Sequence, residues 1–315
     1  MRIYISGSLA FDRIMDFPGK FSDHILPDKI HILNVCFMVN GLAEKYGGTA
    51  GNIAYNLALL GERPIILATS GKDFGEYEEW LTKNALSLEG VRRVEDEPTA
   101  CAYITTDQSD NQITGFNPGA MKHPSLYDFD RAPAGQALAI VSPGNLDDMK
   151  DYCRTYRERN IPYIFDPGQA IPAFSGDQMV EMLTGSMALV SNDYELEMIM
   201  KATSLDMDAL LERTGAVVTT LGEQGSRVVR QDRETDIPPV QANPTKDPTG
   251  AGDAFRAGLL KGLRQGKSLE ESARLGSACA VYCVERYGTQ EHAFTMDEFM
   301  ERYRDHFGPD ESDAA

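Results

Sequence analysis

Six short apolar runs recur along the chain, each ending in a turn: Arg2–Gly7 (RIYISG), Pro64–Gly71 (PIILATSG), Ala137–Gly144 (ALAIVSPG), Pro162–Gly168 (PYIFDPG), Met187–Asn192 (MALVSN) and Ala216–Gly222 (AVVTTLG). They are continuous rather than alternating, as strands of a parallel sheet buried on both faces must be. Helical patterns lie between them. Leu146, Met149, Cys153 and Tyr156 form an apolar stripe, and Asp73–Leu86 (DFGEYEEWLTKNAL) opens on acids, with Asp73 placed as N-cap. Strand–helix alternation of this kind predicts an α/β domain with a doubly wound, mostly parallel sheet flanked by helices, a single domain over 1–315. In such a sheet, ligands bind beyond the carboxyl ends of the strands.

Two regions break the rhythm. Segments 12–46 and 98–116 carry short extended stretches with polar alternation, and TACAYITTD and NQITGF are separated by QSD as in a hairpin. These predict a small β-sheet lid over the main domain. The alternative is a pair of surface excursions without a part to play.

Charge narrows the partners. With 30 basic and 48 acidic residues the net charge is −18, so nucleic acid and anionic membranes are poor partners for the bulk surface. A local nest of backbone N–H groups still admits a small phosphorylated ligand. No targeting segment or membrane-length apolar run is visible, and the five cysteines fit neither a zinc site nor a disulfide framework. Cys279 and Cys283, four apart, read as buried packing. The expectation is a reduced cytoplasmic enzyme.

Most familiar chemical signatures are missing. GLRQGKS (Gly262–Ser268) misses P-loop spacing by one residue and follows a helix, and no G-x-G-x-x-G follows a strand. Two glycine-rich segments remain. In YGGTAGNIAYNLALLG (Tyr46–Gly61), three glycines precede an apolar helix with Asn52 at its start, either a cap or a donor–acceptor for a polar ligand. In DPTGAGDAFRAG (Asp247–Gly258), a turn becomes a helix, with Asp253 at the junction. A helix N-terminus attracts anions, so Asp253 is either a first-turn acid answering the helix dipole or a proton acceptor beside bound phosphate.

Together these segments resemble the two signatures of the ribokinase-like (PfkB) carbohydrate kinases, and the resemblance runs from SGSLAFDRI to the helix after Ser268. It implies transfer of the ATP γ-phosphate to a hydroxymethyl group with Mg²⁺, on a doubly wound α/β domain with a β-sheet lid. Asp253 matches the family's catalytic base, and Gly250, Ala251 and Gly252 its anion hole. Asp12, Gly48 and Asn52 match the sugar site. Asn192 and Glu195 match an Asn-x-x-Glu motif that organises Mg²⁺ through water; the alternative is a capping box. Thr220, Gly222 and Gly225 match the nucleotide-binding turn, against an ordinary hairpin turn. The helix Ser277–Tyr287 and the turn YGTQ fall near the adenine, and Asp247 and Thr249 match the loop that holds K⁺ in many relatives.

Three further stretches, Thr106–His123, Phe165–Pro172 and Val284–Gln290, resemble the prokaryotic nucleoside and adenosine kinase branch. They imply that Gln112 and Phe116 close over a base, with Phe116 either stacking on it or packing lid against body. The leading expectation is an adenosine-preferring nucleoside 5′-kinase, monomeric or homodimeric. The alternatives are a sugar kinase acting on ribose, fructose or a keto-deoxy acid, a non-catalytic sensor on the same scaffold, and a dinucleotide-dependent oxidoreductase, which lacks its fingerprint.

Overall fold

All six apolar runs become strands of one sheet. The computed structural model describes residues 1–309 apart from positions 26, 33, 110 and 132–136. In chain order its elements are β1 (Arg2–Ser6), β2 (Ala10–Asp16), β3 (Leu42–Gly47), α1 (Thr49–Leu59), β4 (Ile65–Ser70), α2 (Gly75–Lys83), β5 (Val91–Arg93), β6 (Ala100–Thr106), β7 (Gln112–Asn117), β8 (Ala137–Val141), α3 (Leu146–Glu158), β9 (Tyr163–Phe165), α4 (Gly176–Leu183), β10 (Ala188–Asn192), α5 (Asp193–Thr203), α6 (Met207–Leu211), β11 (Val217–Thr220), β12 (Ser226–Val229), β13 (Glu234–Ile237), α7 (Ala251–Arg264), α8 (Leu269–Val284) and α9 (Met296–Phe307).

The large sheet has the order β13-β12-β11-β10-β9-β8-β1-β4-β5. It is parallel from β11 to β5, and β12 and β13 add an antiparallel edge. Side-chain alternation divides the core in two. Ile3, Ile5, Leu138 and Ile140 face a layer that includes α1, α7, α8 and α9, while Tyr4, Ala139 and Val141 face one that includes α3, α4 and α5. Period-two packing inside continuous apolar runs is why those runs read as strands. The edge strands β5 and β13, and β12 beside β13, carry charges and gave no such signal.

Two local expectations need correction. Asp73 does not cap α2; Phe74 holds that position, and the Asp73 carboxylate instead accepts the Thr99 N–H at 2.7 Å, tying the root of the β6–β7 hairpin to the body. Leu146 leaves the predicted stripe. It is exposed at the first turn of α3, while Met149, Cys153 and Tyr156 are buried. Cys279 and Cys283 are buried as expected.

The irregular regions form a second sheet of order β3-β2-β6-β7. Two antiparallel hairpins are joined by the parallel β2–β6 pair. Register puts Asp12 beside Ala102 and Ala102 beside Phe116; two steps further out on the same face come Ile14, Ile104 and Thr114, then Asp16, Thr106 and Gln112. Asp110, in the QSD turn, lies outside the described residues. Its neighbour Asp107 accepts hydrogen bonds from the N–H groups of Phe21, Ser109 and Asn111 and from the Asn111 amide. Burial alone would raise this carboxyl, but those donors hold it down to about 2.

Candidate active site

The strand ends converge where the chain makes its tightest turns. β3 runs directly into α1 through Gly48, whose φ of 88° and close approach to the Ser8 carbonyl exclude a side chain. Thr49 closes the junction from below. Its backbone N–H donates to Ser8 Oγ at 3.0 Å, and its hydroxyl donates to the Pro143 carbonyl at 2.8 Å. On the facing side Gly250 (φ 81°) caps α7. Helix geometry leaves the first N–H groups of α7 without intrahelical partners. The Ala251 N–H is taken by the Pro248 carbonyl at 3.2 Å, so those of Gly252 and Asp253 remain for an anion.

Between these two helix starts lies a cavity of about 850 Å³. Asp12, Gly48, Asn52, Phe116, Thr249, Gly250 and Asp253 all line it, so sequence positions more than two hundred residues apart meet in one place. Asp12 belongs to a strand. It sits inside β2 on the inner face of the lid, its carboxylate against Gly47. Asp253 accepts a hydrogen bond from Asn52 Nδ2 at 2.8 Å. Burial raises the Asp253 carboxyl to about 6; Arg256 and the Asn52 hydrogen bond pull it down, and Asp166 and Asp12 push it up. Burial likewise raises Asp12 to about 6, with help from Asp247. Both are carboxylates at neutral pH and good proton acceptors near it.

Other expected residues stand elsewhere. Gln112 shares the inner lid face with Phe116 but lies four residues outward along β7 and does not line the cavity. Asn192 and Glu195 form a reciprocal capping box at 2.7 and 2.9 Å, so the local explanation is realised. The Glu195 charge is nonetheless felt by both Asp166 and Arg256 behind the site. Thr220 pairs in register with Asn192 at the carboxyl end of the sheet, and Gly222 and Gly225 shape the hairpin turn before β12. Asp247 takes backbone N–H groups of Thr249 (2.9 Å) and Gly288 (3.0 Å), which organises the loop before α7.

Sequence reading did not bring several participants to this cavity. Thr289 lines the cavity, and Gln290 donates to Asn52 Oδ1 at 3.0 Å, so the end of the YGTQ turn serves this cavity. Arg256, one turn after Asp253, forms a buried two-point ion pair with Asp166, one contact being 2.7 Å. DAFRAG and FDPG are conspicuous as strings, but nothing local in either announces the other. The cavity's remaining wall includes Met121, Leu146, Gln169 and Phe174.

The pfkB family carbohydrate kinase profile matches residues 26–295. The nucleoside kinase of Methanocaldococcus jannaschii is 31% identical over 276 residues, covering 87% of this chain and 90% of the relative. Burkholderia thailandensis nucleoside kinase in complex with inosine superposes with a TM-score of 0.87 at 36% identity, covering 98% of both chains. Its complex with ADP-inosine gives 0.85 at 37%, covering 98% and 96%. Among the described residues no helix is long and apolar enough to cross a membrane.

Proposed function

We propose that this chain, which belongs to the pfkB family of carbohydrate kinases and is a phosphotransferase acting on a hydroxyl, transfers the γ-phosphate of ATP to the 5′-hydroxyl of a nucleoside, adenosine foremost. The observation that carries the reading is the shape of one cavity. Asp12 and Asp253 share it with an apolar wall of Phe116, Met121, Leu146 and Phe174. Its volume lies high in the range of roughly 300–1,000 Å³ for small-molecule sites, room for more than a monosaccharide.

The residues then divide the work. Asp12 accepts hydrogen bonds from ribose hydroxyls and fixes the sugar under the lid. Asn52 holds the Asp253 carboxylate in one orientation. That carboxylate takes the proton as the hydroxyl oxygen attacks. The open N–H groups of Gly252 and Asp253, at the positive end of α7, face the charge spread over the transferred phosphoryl group. Lid closure excludes water that would otherwise compete as acceptor.

Mg²⁺ fits the residues on the nucleotide side. It needs only one or two carboxylates besides phosphates and water, and among the described residues no cage of three or more ligating side chains exists. Glu195, half-buried with one oxygen on the Asn192 N–H, is suited to hold the ion's waters, with Asn192 beside it. The ion would supply charge neutralisation at the phosphates. Thr220, Gly222 and Gly225 would border the nucleotide, and Asp247 and Thr249 a potassium ion; both assignments rest on the family resemblance.

A panel of adenosine, inosine, guanosine, cytidine, ribose and fructose, with ATP and Mg²⁺ and ADP release as readout, tests the proposal. The nucleosides should exceed ribose by about one to two decades in kcat/KM, because base stacking is worth ~1–3 kcal/mol. Preference for ribose or fructose would replace it with a sugar kinase.

A further inference from the structure

Behind Asn52 runs a chain of side chains whose hydrogen-bond polarity is fixed from its far end. The indole of Trp80, on α2, can only donate, and its Nε1–H meets Gln290 Oε1 at 2.9 Å. The amide nitrogen of Gln290 must then point the other way, where it donates to Asn52 Oδ1 at 3.0 Å and to the Tyr77 hydroxyl at 2.7 Å. Tyr77 confirms the sense independently. Its hydroxyl donates to the Gly47 carbonyl at 2.9 Å, a pure acceptor, so its oxygen is left to accept from Gln290. With Asn52 Oδ1 occupied, only Asn52 Nδ2 faces Asp253, at 2.8 Å. Tyr77, Asn52 and Gln290 are buried at 0%, 4% and 3% exposure, so water does not scramble the sequence.

We infer that Gln290, oriented by Trp80 and Tyr77, is a positioning residue that locks the Asn52 amide as a donor to Asp253 and so keeps the base in its proton-accepting form. The inference rests on the assignment of Asp253 as base. A flipped Asn52 amide would aim its carbonyl at Asp253, a contact only a protonated carboxyl can satisfy. The relay therefore converts one fixed indole proton into a preference for the carboxylate. Burial pushes the Tyr77 phenol up, which keeps it protonated and donating to the Gly47 carbonyl. Other charges and titratable groups that bear on Asp253 are Arg256 on its own helix, Asp166 after β9, Asp12 on β2, Tyr77 on α2 and Cys283 on α8. All of them remain in the variants below, so a change in pH dependence reports the relay.

The test is the pH profile of kcat/KM for adenosine in Gln290→Met and Trp80→Phe. Gln290→Met should move the acid limb up by about half to one pH unit and lower kcat roughly tenfold, with the KM for ATP unchanged. That loss is smaller than the ~10²–10³ seen when a donor to the transition state itself is removed. Trp80→Phe should give the same shift in smaller degree, because Tyr77 still orients Gln290. Should Gln290→Met not fold, a second readout decides. Trp80 is the only tryptophan, so one indole N–H resonance reports the relay. It should titrate with the Asp253 limb and stop doing so in Asp253→Asn. A folded Gln290→Met enzyme with a lower melting temperature but the wild-type acid limb would reduce the relay to packing. So, failing that variant, would an indole resonance indifferent to pH between 5 and 8. Asp253→Asn separates the two levels: turnover retained there removes the base itself, whereas turnover lost there with an unmoved limb in Gln290→Met removes only the relay.

Discussion

The two sheets of this molecule are buried in opposite ways. Every residue of β4 and β8 in the body is buried, whereas every residue of β7 in the lid is exposed. The body strands hold Asp253, Gly250 and Thr289 through α7 and α8, which pack on one face of the sheet. The lid is anchored at its root, where Phe11 packs on Tyr46 and Tyr77 and the Asp73 carboxylate takes the Thr99 N–H. Under the proposed function, the chemistry falls on the buried sheet and recognition of the acceptor on the exposed one. Asp12 stands between them, on a lid strand but near its anchored end.

The largest effect should come from the rigid half. Asp253→Asn should lower kcat by at least ~10²-fold while nucleotide binding persists, measured by steady-state kinetics alongside calorimetry. In the native enzyme, kcat/KM should fall as pH drops through about 6, because the base Asp253 and the acceptor ligand Asp12, both raised to that value, are protonated there; ordinary aspartates would hold activity to near pH 4. The stability sign is opposite. The folded state binds the Asp253 proton more tightly than the unfolded chain, so ionisation costs stability as pH rises from about 4 to 6. Asp253→Asn removes that cost and should raise the melting temperature at pH 7. The shift from 3.8 to about 6 bounds the gain at about 3 kcal/mol, less because the carboxylate opens on the cavity. Near-normal turnover in a folded variant would take the base out of the body.

Asp12→Ala probes the junction. Removing a hydrogen bond to a charged group costs roughly 1.5–3 kcal/mol, so acceptor affinity should fall by about one to two decades while ATP affinity holds. Equal losses for both ligands would show that Asp12 only supports the lid root.

Hydrogen exchange compares the two sheets directly. If lid opening must release the acceptor, nucleoside at ten times its Kd should slow exchange across 98–117 about tenfold, while the body strands, protected already, change little. Uniform slowing of both sheets would mean that the lid is not a separate moving part.

The same contrast explains what the sequence revealed. Six body strands were legible because burial on both faces demands unbroken apolar runs, and the two glycine-rich helix starts were legible because only glycine permits those approaches. The lid hairpin was legible from alternation, and its shared face with Asp12 follows from register. Partners across the fold were not. Trp80, Tyr77 and Gln290 meet only because α2 packs beside the turn after α8, and Arg256 on α7 finds Asp166 just after β9. Glu195 shows the reverse hazard: a short motif whose local capping geometry accounts for it whether or not a metal is near.

The smallest effect should come from an exposed lid contact. Phe116 is 50% exposed on the inner lid face and lines the cavity. An aromatic in that state has apolar area to cover, and a base entering beneath the lid would cover it. Half-exposure limits the gain to the low end of the ~1–3 kcal/mol of a base–aromatic stack; about 1 kcal/mol is roughly fivefold. Phe116→Ala should therefore raise the KM for adenosine about fivefold and leave the KM for ribose and the melting temperature nearly unchanged. The comparison within one variant is what decides. A loss shared equally by adenosine and ribose would mean that Phe116 shapes lid closure rather than touching the base. No loss for either would move the base to the opposite wall, against Leu146 and Phe174.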